Sequence, residues 1–164
     1  MAHHNSIQEK IKTADSLKAF VNSARAKGQR IVFTNGCFDI IHKGHVDYLA
    51  KAADKGDLLI VGVNTDASVK RQGKSPSRPI QDETARCYVL SALESVSAVI
   101  LFDEDTPYNL IKEVQPDVLV KGADYKAENI VGYDIVTARG GRVETIDFID
   151  GYSTSAIERK IKNS

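Results

Sequence analysis

The chain has 164 residues, 42% of them hydrophobic and 27% charged, the proportions of a globular protein with one domain of ordinary size. Lys plus Arg and Asp plus Glu both number 22, so the net charge is zero and nothing attracts nucleic acid or an anionic membrane in general. No apolar run approaches the about 20 residues of a membrane-spanning helix, and the start of the chain lacks an apolar signal core, so we expect a cytoplasmic protein.

Short apolar runs alternate with amphipathic stretches, a pattern that predicts strand–helix units around a parallel sheet. After a helix over about 13–27, the predicted strands are 31–34, 58–63, 98–101, 118–120 and 142–146. The predicted helices between them are 44–55, 82–93, 106–114 and about 130–139, and a last helix follows Ser153. We expect a single α/β domain with a Rossmann-like, doubly wound, five-stranded parallel sheet over residues 1–164. Residues 1–30 would be an N-terminal helical extension and residues 31–160 the catalytic core.

The most informative segment lies between the first strand and the next helix and reads Gly-Cys-Phe-Asp-Ile-Ile-His-Lys-Gly-His over residues 36–45. A helix start presents unpaired N–H groups and partial positive charge, and so attracts anions. Two imidazoles at the same point add donors that can follow charge as it develops on a phosphate. Alone, His42 and His45 could also be ordinary polar residues, but no nearby Cys or carboxylate completes a metal site. The segment therefore predicts phosphate chemistry at the carboxyl end of a strand, where such sheets bind ligands.

The full string G-x-F-D-x-x-H-x-G-H resembles the HxGH nucleotidylyltransferase superfamily, which includes cytidylyltransferases, pantetheine-phosphate adenylyltransferase and sugar-phosphate adenylyltransferases. The resemblance implies that His42 and His45 hold the nucleotide phosphates and stabilise the transition state at the α-phosphorus. It implies that Gly44 lets the backbone come close to the phosphates. The variable Lys43 is open between a phosphate contact and a solvated side chain.

Further positions join the predicted nucleotide site through the same resemblance. Asp39 would orient its loop or help to position metal-bound phosphates, while Phe38 would also pack in the core. The Ser/Thr-rich turn near the end of the chain would form a second anion-binding helix start, although a plain helix cap is the simpler alternative. The predicted nucleotide-binding residues are Thr34, Asn35, Gly36, Phe38, Asp39, Gly44, Lys121, Gly122, Ser153, Thr154 and Ser155.

A basic segment, residues 71–79, follows the second strand and is rich in Gly, Ser and Pro, so we expect a mobile loop. Placed beside a phosphate site, Lys74 and Arg78 could clamp a triphosphate, with Lys74 counted among the catalytic residues. Lys70 and Arg71 are left open between this role and a solvated surface. The residues predicted to bind substrate are Asn64, Asp66, Arg78, Arg86 and Asp124.

A narrower resemblance covers about residues 31–160. The phrases V-N-T-D-A-S, S-R-P-I, A-L-E-S-V and K-G-x-D-Y are similar to adenylyltransferases that activate D-glycero-β-D-manno-heptose 1-phosphate for lipopolysaccharide assembly. This implies transfer of AMP from ATP to that sugar phosphate, giving ADP-heptose and pyrophosphate. It also implies Mg²⁺ bound mainly through the phosphates and a homodimer or higher oligomer. The chain would be the stand-alone form, with the sugar kinase on a separate protein.

Two other functions stay open. A cytidylyltransferase acting on glycerol 3-phosphate or a related alcohol phosphate would carry the same motif. A nucleotide-binding regulator would keep the pocket without turnover, but the presence of both histidines, the Ser/Thr turn and the basic loop favours an enzyme.

Overall fold

The computed structural model describes residues 1–164 and contains one six-stranded sheet in the order β1-β4-β3-β2-β5-β6, in which every neighbouring pair is parallel. The predicted Rossmann-like parallel sheet is confirmed. The strands are β1 Ile11–Lys12, β2 Ile31–Gly36, β3 Leu58–Asn64, β4 Ala98–Phe102, β5 Val118–Gly122 and β6 Arg142–Ile146.

The prediction of five strands is wrong because β1 was missed. This strand has two residues, Ile11 and Lys12, which pair with Val99 and Ile100 of β4 at the edge of the sheet. A two-residue strand is too short to show an alternating pattern of apolar and polar residues. Its place in the sheet comes from pairing with a distant part of the chain.

All six predicted helices are present, with different ends, and two further helices were not predicted. They are α1 Ala2–Lys10, α2 Ala14–Ala26, α3 Lys43–Ala53, α4 Asp66–Arg71, α5 Glu83–Ser91, α6 Tyr108–Val114, α7 Tyr133–Ala138 and α8 Thr154–Lys162, with a 3₁₀ turn at Ala127–Asn129. Neither α1 nor α4 was predicted, and α6 begins later than expected because Pro107 supplies no capping side chain. No helix combines the length and the apolar character needed to cross a bilayer.

The sheet is covered on both faces, as a doubly wound fold requires. Side chains alternate along β2, so Ile31 and Phe33 enter one core cluster while Val32 enters the other. The first cluster also takes Leu17 and Val21 from α2. The segment predicted as an N-terminal extension therefore supplies both a strand and part of the core.

The winding of the chain reverses at β2. From β2 the chain proceeds through β3 to β4 on one side of the sheet, then crosses over to β5 and β6 on the other. In open parallel sheets the crevice at such a reversal, beyond the carboxyl ends of the strands, is where ligands bind. The loop that carries His42 and His45 leaves β2 at this point.

If α2 belongs to the core, Leu17→Ala should lower the free energy of unfolding by about 2–5 kcal/mol, the usual cost of emptying a buried leucine site. Ile161→Ala in the exposed part of α8 is the matched control and should change it by less than about 0.5 kcal/mol. Urea denaturation followed by circular dichroism measures both. Equal, small effects would show that residues 14–26 are a detachable extension.

Candidate active site

A cleft of two connected lobes opens at the carboxyl ends of β2, β3 and β5. The first, the histidine lobe, has a volume of about 300 Å³ and is lined by Asn35, Gly36, Cys37, Phe38, Asp39, His45, Tyr48, Lys74, Arg78, Lys121, Gly122, Asp124, Tyr125, Phe148 and Thr154. The second, the amide lobe, has a volume of about 450 Å³ and is lined by Asn35, Gly36, Cys37, Asn64, Gln72, Lys74, Asp105, Thr106, Pro107, Lys121, Tyr125, Asn129, Ile130 and Val131. Lys74 and Lys121 line both lobes and so stand at their junction. A larger cavity of about 700 Å³ lies between α2, β4 and α6 and contains none of the predicted site residues.

The two histidines of the motif stack on each other at the start of α3. Their ring centroids are 3.9 Å apart with an angle of 26° between the planes, and Phe38 meets His45 edge-on at 5.4 Å. His42 is the N-cap residue, and its Nδ1 accepts a hydrogen bond of 3.1 Å from the Gly44 amide. Because Nδ1 is the acceptor, the proton of the neutral His42 ring lies on Nε2, which leaves that atom as a donor.

Both imidazoles are held in the neutral form at pH 7. Burial lowers the pKa of His42. Burial, reinforced by the neighbouring His42, lowers the pKa of His45 to about 4, and the Ile40 carbonyl opposes this fall only in part. The buried Nδ1 of His45 forms no hydrogen bond, because the nearby Ile40 carbonyl does not meet hydrogen-bond geometry. The pair is therefore uncharged before an anion arrives, and Nε2 of His42 is an N–H donor.

Gly44 has a packing role that the sequence did not reveal. A Cβ atom at this position would lie 3.0 Å from the His42 ring and 3.3 Å from Cβ of Tyr152. In the structure, the side chains of His42 and Tyr152 approach Gly44 closely, as a phosphate was predicted to do. Absence of a side chain lets the His42 ring fold back onto the first turn of α3.

The start of α8 lies beside the start of α3. Thr154 Oγ1 donates to the carbonyl oxygen of Ile40 at 3.5 Å, and the Lys43 ammonium lies 5.3 Å from the centroid of the Tyr152 ring. Ser153 caps α8 by accepting a 3.0 Å hydrogen bond from the Ala156 amide. Of the predicted Ser/Thr turn, Thr154 lines the histidine lobe, whereas Ser153 and Ser155 line neither lobe. Two helix N-termini, with their unpaired N–H groups, thus converge on one region.

The basic loop divides into residues at the cleft and residues away from it. Lys74 and Arg78 line the histidine lobe, and Arg78 also forms a 2.9 Å ion pair with Glu158 of α8. Arg71 pairs instead with Asp105 at 3.0 Å, and Lys70 is exposed and lines neither lobe. The two positions left open by the sequence therefore fall outside the cleft.

Asp39 orients a loop, which is the first of the two roles predicted for it. Its side chain is buried, and its carboxylate accepts hydrogen bonds of 2.8 Å from the Ile80 amide and 2.9 Å from the Gln81 amide. Asp39 also lines the histidine lobe, and the alternative, that it helps to position metal-bound phosphates, stays a prediction. Asp39 fixes the end of the basic loop.

Arg86 was predicted to contact substrate, and the structure corrects this. The side chain is 0% exposed, so no ligand in the cleft can reach it. Its guanidinium donates to the Cys37 carbonyl at 2.7 Å, to Asp66 at 2.8 Å and to the Gln81 carbonyl at 3.1 Å. Asp66 is thereby corrected too, since it pairs with Arg86 and lines neither lobe. The pair holds together three segments that surround the cleft.

Thr34 was predicted to bind the nucleotide, but its side chain faces the interior of the fold. It is fully buried, and its hydroxyl shares a 2.8 Å hydrogen bond with the Tyr48 hydroxyl inside the fold. Asn64 is buried as well, but it lines the amide lobe. Its amide donates to Ser68 at 3.0 Å and its carbonyl lies 3.7 Å from the thiol of Cys37. Cys37 and Cys87 are both free thiols.

The end of β5 supplies the opposite wall of the cleft. Lys121 donates to the Asn35 carbonyl at 3.3 Å, and burial lowers the pKa of its ammonium, with Lys74 acting in the same direction. A Cβ atom on Gly122 would lie 2.2 Å from the Phe148 ring, so this glycine is required for that ring to approach. Asp124 lines the histidine lobe, as does Gly122.

Several residues of the cleft were missed from the sequence. Tyr48 follows His45 by three positions in α3, so the spacing that puts both on one helix face could have identified it. Tyr125 ends the phrase K-G-x-D-Y but was not named as a site residue, and Phe148 and Gln72 belong to no recognisable motif. They reach the cleft because the loops that carry them return to the same edge of the sheet.

Comparison with known proteins decides the family, because the profile of the cytidylyltransferase-like family matches residues 33–159. The chain belongs to the cytidylyltransferase-like family. This confirms the resemblance to HxGH nucleotidylyltransferases, and the catalytic motif lies inside the matched region. Both stacked histidines lie inside the region that the cytidylyltransferase-like family profile matches.

Among relatives, "Bifunctional protein HldE" of Citrifermentans bemidjiense is 53% identical over 155 residues, which is 94% of this chain and 32% of that protein. The protein of the same name from Geotalea uraniireducens is 52% identical over 159 residues, 97% of this chain and 32% of that protein. The chain thus spans about a third of the length of these relatives.

Two solved structures share the fold. The lipopolysaccharide core biosynthesis protein from Thermoplasma volcanium is 32% identical with a TM-score of 0.62, covering 77% of this chain and 100% of that one. Pantoate-beta-alanine ligase from Francisella tularensis has a TM-score of 0.60, covering 93% of this chain and 76% of that one. At 15% identity the second comparison supports the fold alone.

If Arg86 holds the cleft loops from within, Arg86→Leu should lower the free energy of unfolding by about 3 kcal/mol, because it removes one partner of a buried ion pair and leaves two carbonyls unpaired. Arg71→Leu, which breaks an exposed ion pair, is the control and should cost less than about 1 kcal/mol. Urea denaturation of both variants measures the difference. Normal stability of Arg86→Leu would restore the interpretation of Arg86 as a substrate contact.

The depressed pKa of His45 predicts a pH dependence with a definite sign. Its folded-state pKa of about 4 lies below the ordinary value of 6.5, so the unfolded chain takes up this proton first as the pH falls. The free energy of unfolding is therefore unaffected by this group above pH 6.5, and it falls progressively as the pH drops from 6.5 to about 4.

Nuclear magnetic resonance of the imidazole groups checks this directly. In the free protein His45 should stay neutral to about pH 4, and inorganic tripolyphosphate should raise its pKa because an anion favours the charged ring. A His45 that titrates near 6.5 with and without tripolyphosphate would contradict the site geometry.

Proposed function

We propose that this protein transfers AMP from ATP to a sugar 1-phosphate, the sugar being D-glycero-β-D-manno-heptose, with release of pyrophosphate. The observation that carries the proposal is the stacked His42/His45 pair at the start of α3, beside the start of α8 and at the winding reversal of the sheet. His45 lines the histidine lobe, and His42, which stacks on it, lines neither lobe but lies at the start of α3 close to the start of α8.

The two lobes suggest where each substrate lies. His45, Thr154 and Arg78 line the histidine lobe but not the amide lobe, so the triphosphate belongs in the histidine lobe. The amide lobe contains the side-chain amides of Asn64, Gln72 and Asn129, which can donate to and accept from sugar hydroxyls. Lys74 and Lys121 at the junction can face phosphates of both substrates. In this proposal the acceptor phosphate approaches the α-phosphorus from the amide lobe, opposite the departing pyrophosphate.

In the proposed step, an oxygen of the sugar phosphate forms a bond to the α-phosphorus while the bond from that phosphorus to the bridging oxygen of pyrophosphate breaks. The acceptor is already an anion, so no protein base is needed. Catalysis then comes from alignment and from donors that stabilise the negative charge as it develops. His42 and His45 act as such donors, together with the helix N–H groups and the ammonium groups of Lys74 and Lys121.

Magnesium enters this proposal as part of the ATP substrate. No group of three His, Cys, Asp or Glu side chains is arranged to hold a metal ion. Asp39, the carboxylate in the motif loop, has its oxygens engaged by backbone amides. In this proposal the ion is bound mainly through the phosphates of ATP.

The choice of a heptose rests on the sequence resemblance described above and is supported by the similarity to HldE proteins and to a lipopolysaccharide core biosynthesis protein. A reaction fed by ATP would run in the cytoplasm, with neither nucleic acid nor membrane as a partner. The predicted homodimer or higher oligomer stays a prediction.

Pyrophosphate release tests the function directly. The protein is incubated with ATP or CTP and, in turn, with heptose 1-phosphates of both anomers and with glycerol 3-phosphate. We expect release with ATP and the β-heptose phosphate. Release with CTP and glycerol 3-phosphate would instead establish the cytidylyltransferase, and tight ATP binding without release from any acceptor would favour the regulator.

His45→Ala should reduce turnover by about 10²- to 10³-fold, the usual loss when one preorganised donor to a transition state is removed. His4→Ala, on the exposed helix α1, is the matched histidine control and should keep normal turnover. Thermal unfolding of both variants verifies that they are folded. Near-normal turnover of folded His45→Ala would remove this residue from the mechanism.

A further inference from the structure

Phe148 lies between β6 and α8 and contributes an aromatic ring to the histidine lobe. It is 52% exposed, although its ring is firmly packed on two sides. The edge of the ring lies against Gly122, where a Cβ atom would come within 2.2 Å of it. One flank stacks on Tyr48 with centroids 5.5 Å apart and an angle of 28°. The protein thus holds this ring in place while leaving much of it open to the cleft.

The support behind Phe148 is itself fixed. Tyr48 is buried on α3, one turn after His45, and its hydroxyl shares a 2.8 Å hydrogen bond with Thr34 of β2. Burial raises the pKa of Tyr48 to about 12, so its hydroxyl stays protonated and the hydrogen bond persists. The Tyr48 ring therefore gives Phe148 a rigid backing.

A solvent-exposed aromatic face in a cleft favours a flat, apolar partner. The charged and polar residues of the histidine lobe, including His45, Arg78 and Thr154, are suited to phosphates. The part of a nucleotide that suits an aromatic ring is its base, because bases stack on aromatic side chains through their π faces. The backbone at Gly122 supplies the close contact without which the ring could not take this position.

We propose that Phe148, backed by Tyr48 and seated on Gly122, is the stacking platform for the nucleotide base and selects a purine over a pyrimidine. The selection follows from area: a two-ring base covers more of the apolar platform than a one-ring base and gains more from leaving water. This inference rests on the proposed function for the identity of the site as a nucleotide site. It adds the residue that distinguishes ATP from CTP.

Isothermal titration calorimetry with ATP, CTP and inorganic tripolyphosphate separates base from phosphate binding. For Phe148→Ala the Kd for ATP should rise about tenfold, within the range measured for loss of one base–aromatic stack. The Kd for CTP should rise less, and that for tripolyphosphate should stay within about twofold, since the phosphates do not touch this ring. Phe148→Tyr keeps an aromatic face and should restore ATP affinity, and thermal unfolding confirms that each variant is folded.

Gly122→Ala provides an independent route to the same result. The added Cβ must displace the Phe148 ring, so ATP affinity should fall while tripolyphosphate affinity is kept. In the double variant, Gly122→Ala with Phe148→Ala, the clash with the ring is gone, and only the Asp124 side chain, whose Oδ1 lies 2.8 Å from the added Cβ, has to move. Its affinity for ATP should therefore be close to that of Phe148→Ala alone, a non-additivity expected of residues in direct contact.

The outcomes are distinguishable. Unchanged ATP affinity in Phe148→Ala, equal weakening of ATP and tripolyphosphate, or equal losses for ATP and CTP would each overturn the inference while leaving the proposed function in place. A wild-type protein that binds neither nucleotide would remove the proposed function and this inference together. Selective loss of ATP in Phe148→Ala, restored by Phe148→Tyr, supports the platform.

Discussion

β2 is the strand from which the chain winds in both directions, with β3 hydrogen-bonded to one edge and β5 to the other. Because all strands are parallel, their carboxyl ends meet at one side of the sheet, and no crossover helix covers the gap above β2. The loop after β2 must therefore open into a crevice whose walls come from β3 and β5. Every residue assigned to the cleft reaches it through this constraint, including those from α8, the last helix of the chain.

Two buried charged side chains keep the crevice in shape. Asp39 binds the backbone amides at the end of the basic loop, and Arg86 binds the carbonyls of Cys37 and Gln81 together with Asp66. Both charges are satisfied by specific partners, since an unpartnered buried charge would strongly destabilise the fold. The segments they join approach one another closely although they are distant in sequence. In this way ionic groups that touch no substrate position those that do.

The electrostatics of the cleft favour a ligand that brings its own negative charge. The histidine pair is neutral in the free protein because burial lowers the pKa of both rings, and His42 lowers that of His45 further. Burial, with a smaller effect of Lys74, also lowers the pKa of the Lys121 ammonium. A polyphosphate supplies negative charge that favours the protonated form of these groups, so binding and charge compensation are coupled. The site is suited to recognise anions by preorganised donors, and its aromatic wall at Tyr48 and Phe148 adds an apolar surface that phosphates alone would not need.

Local pattern was sufficient for the parallel sheet, for most of the strand–helix order and for the family motif at residues 36–45, because apolar periodicity and the helix-start motif are properties of contiguous residues. The pattern could not reveal β1, whose two residues become a strand only by pairing with β4. Nor could it separate Arg78, at the cleft, from Arg86, which is buried beneath it, since both are arginines in a polar context. Gly122 and Phe148 illustrate the same limit, because their contact depends on where two loops return to the sheet edge. The sequence by itself determined the chemistry and its place on β2, whereas the tertiary structure alone decided which side chains face the cleft, because that depends on packing between segments far apart along the chain.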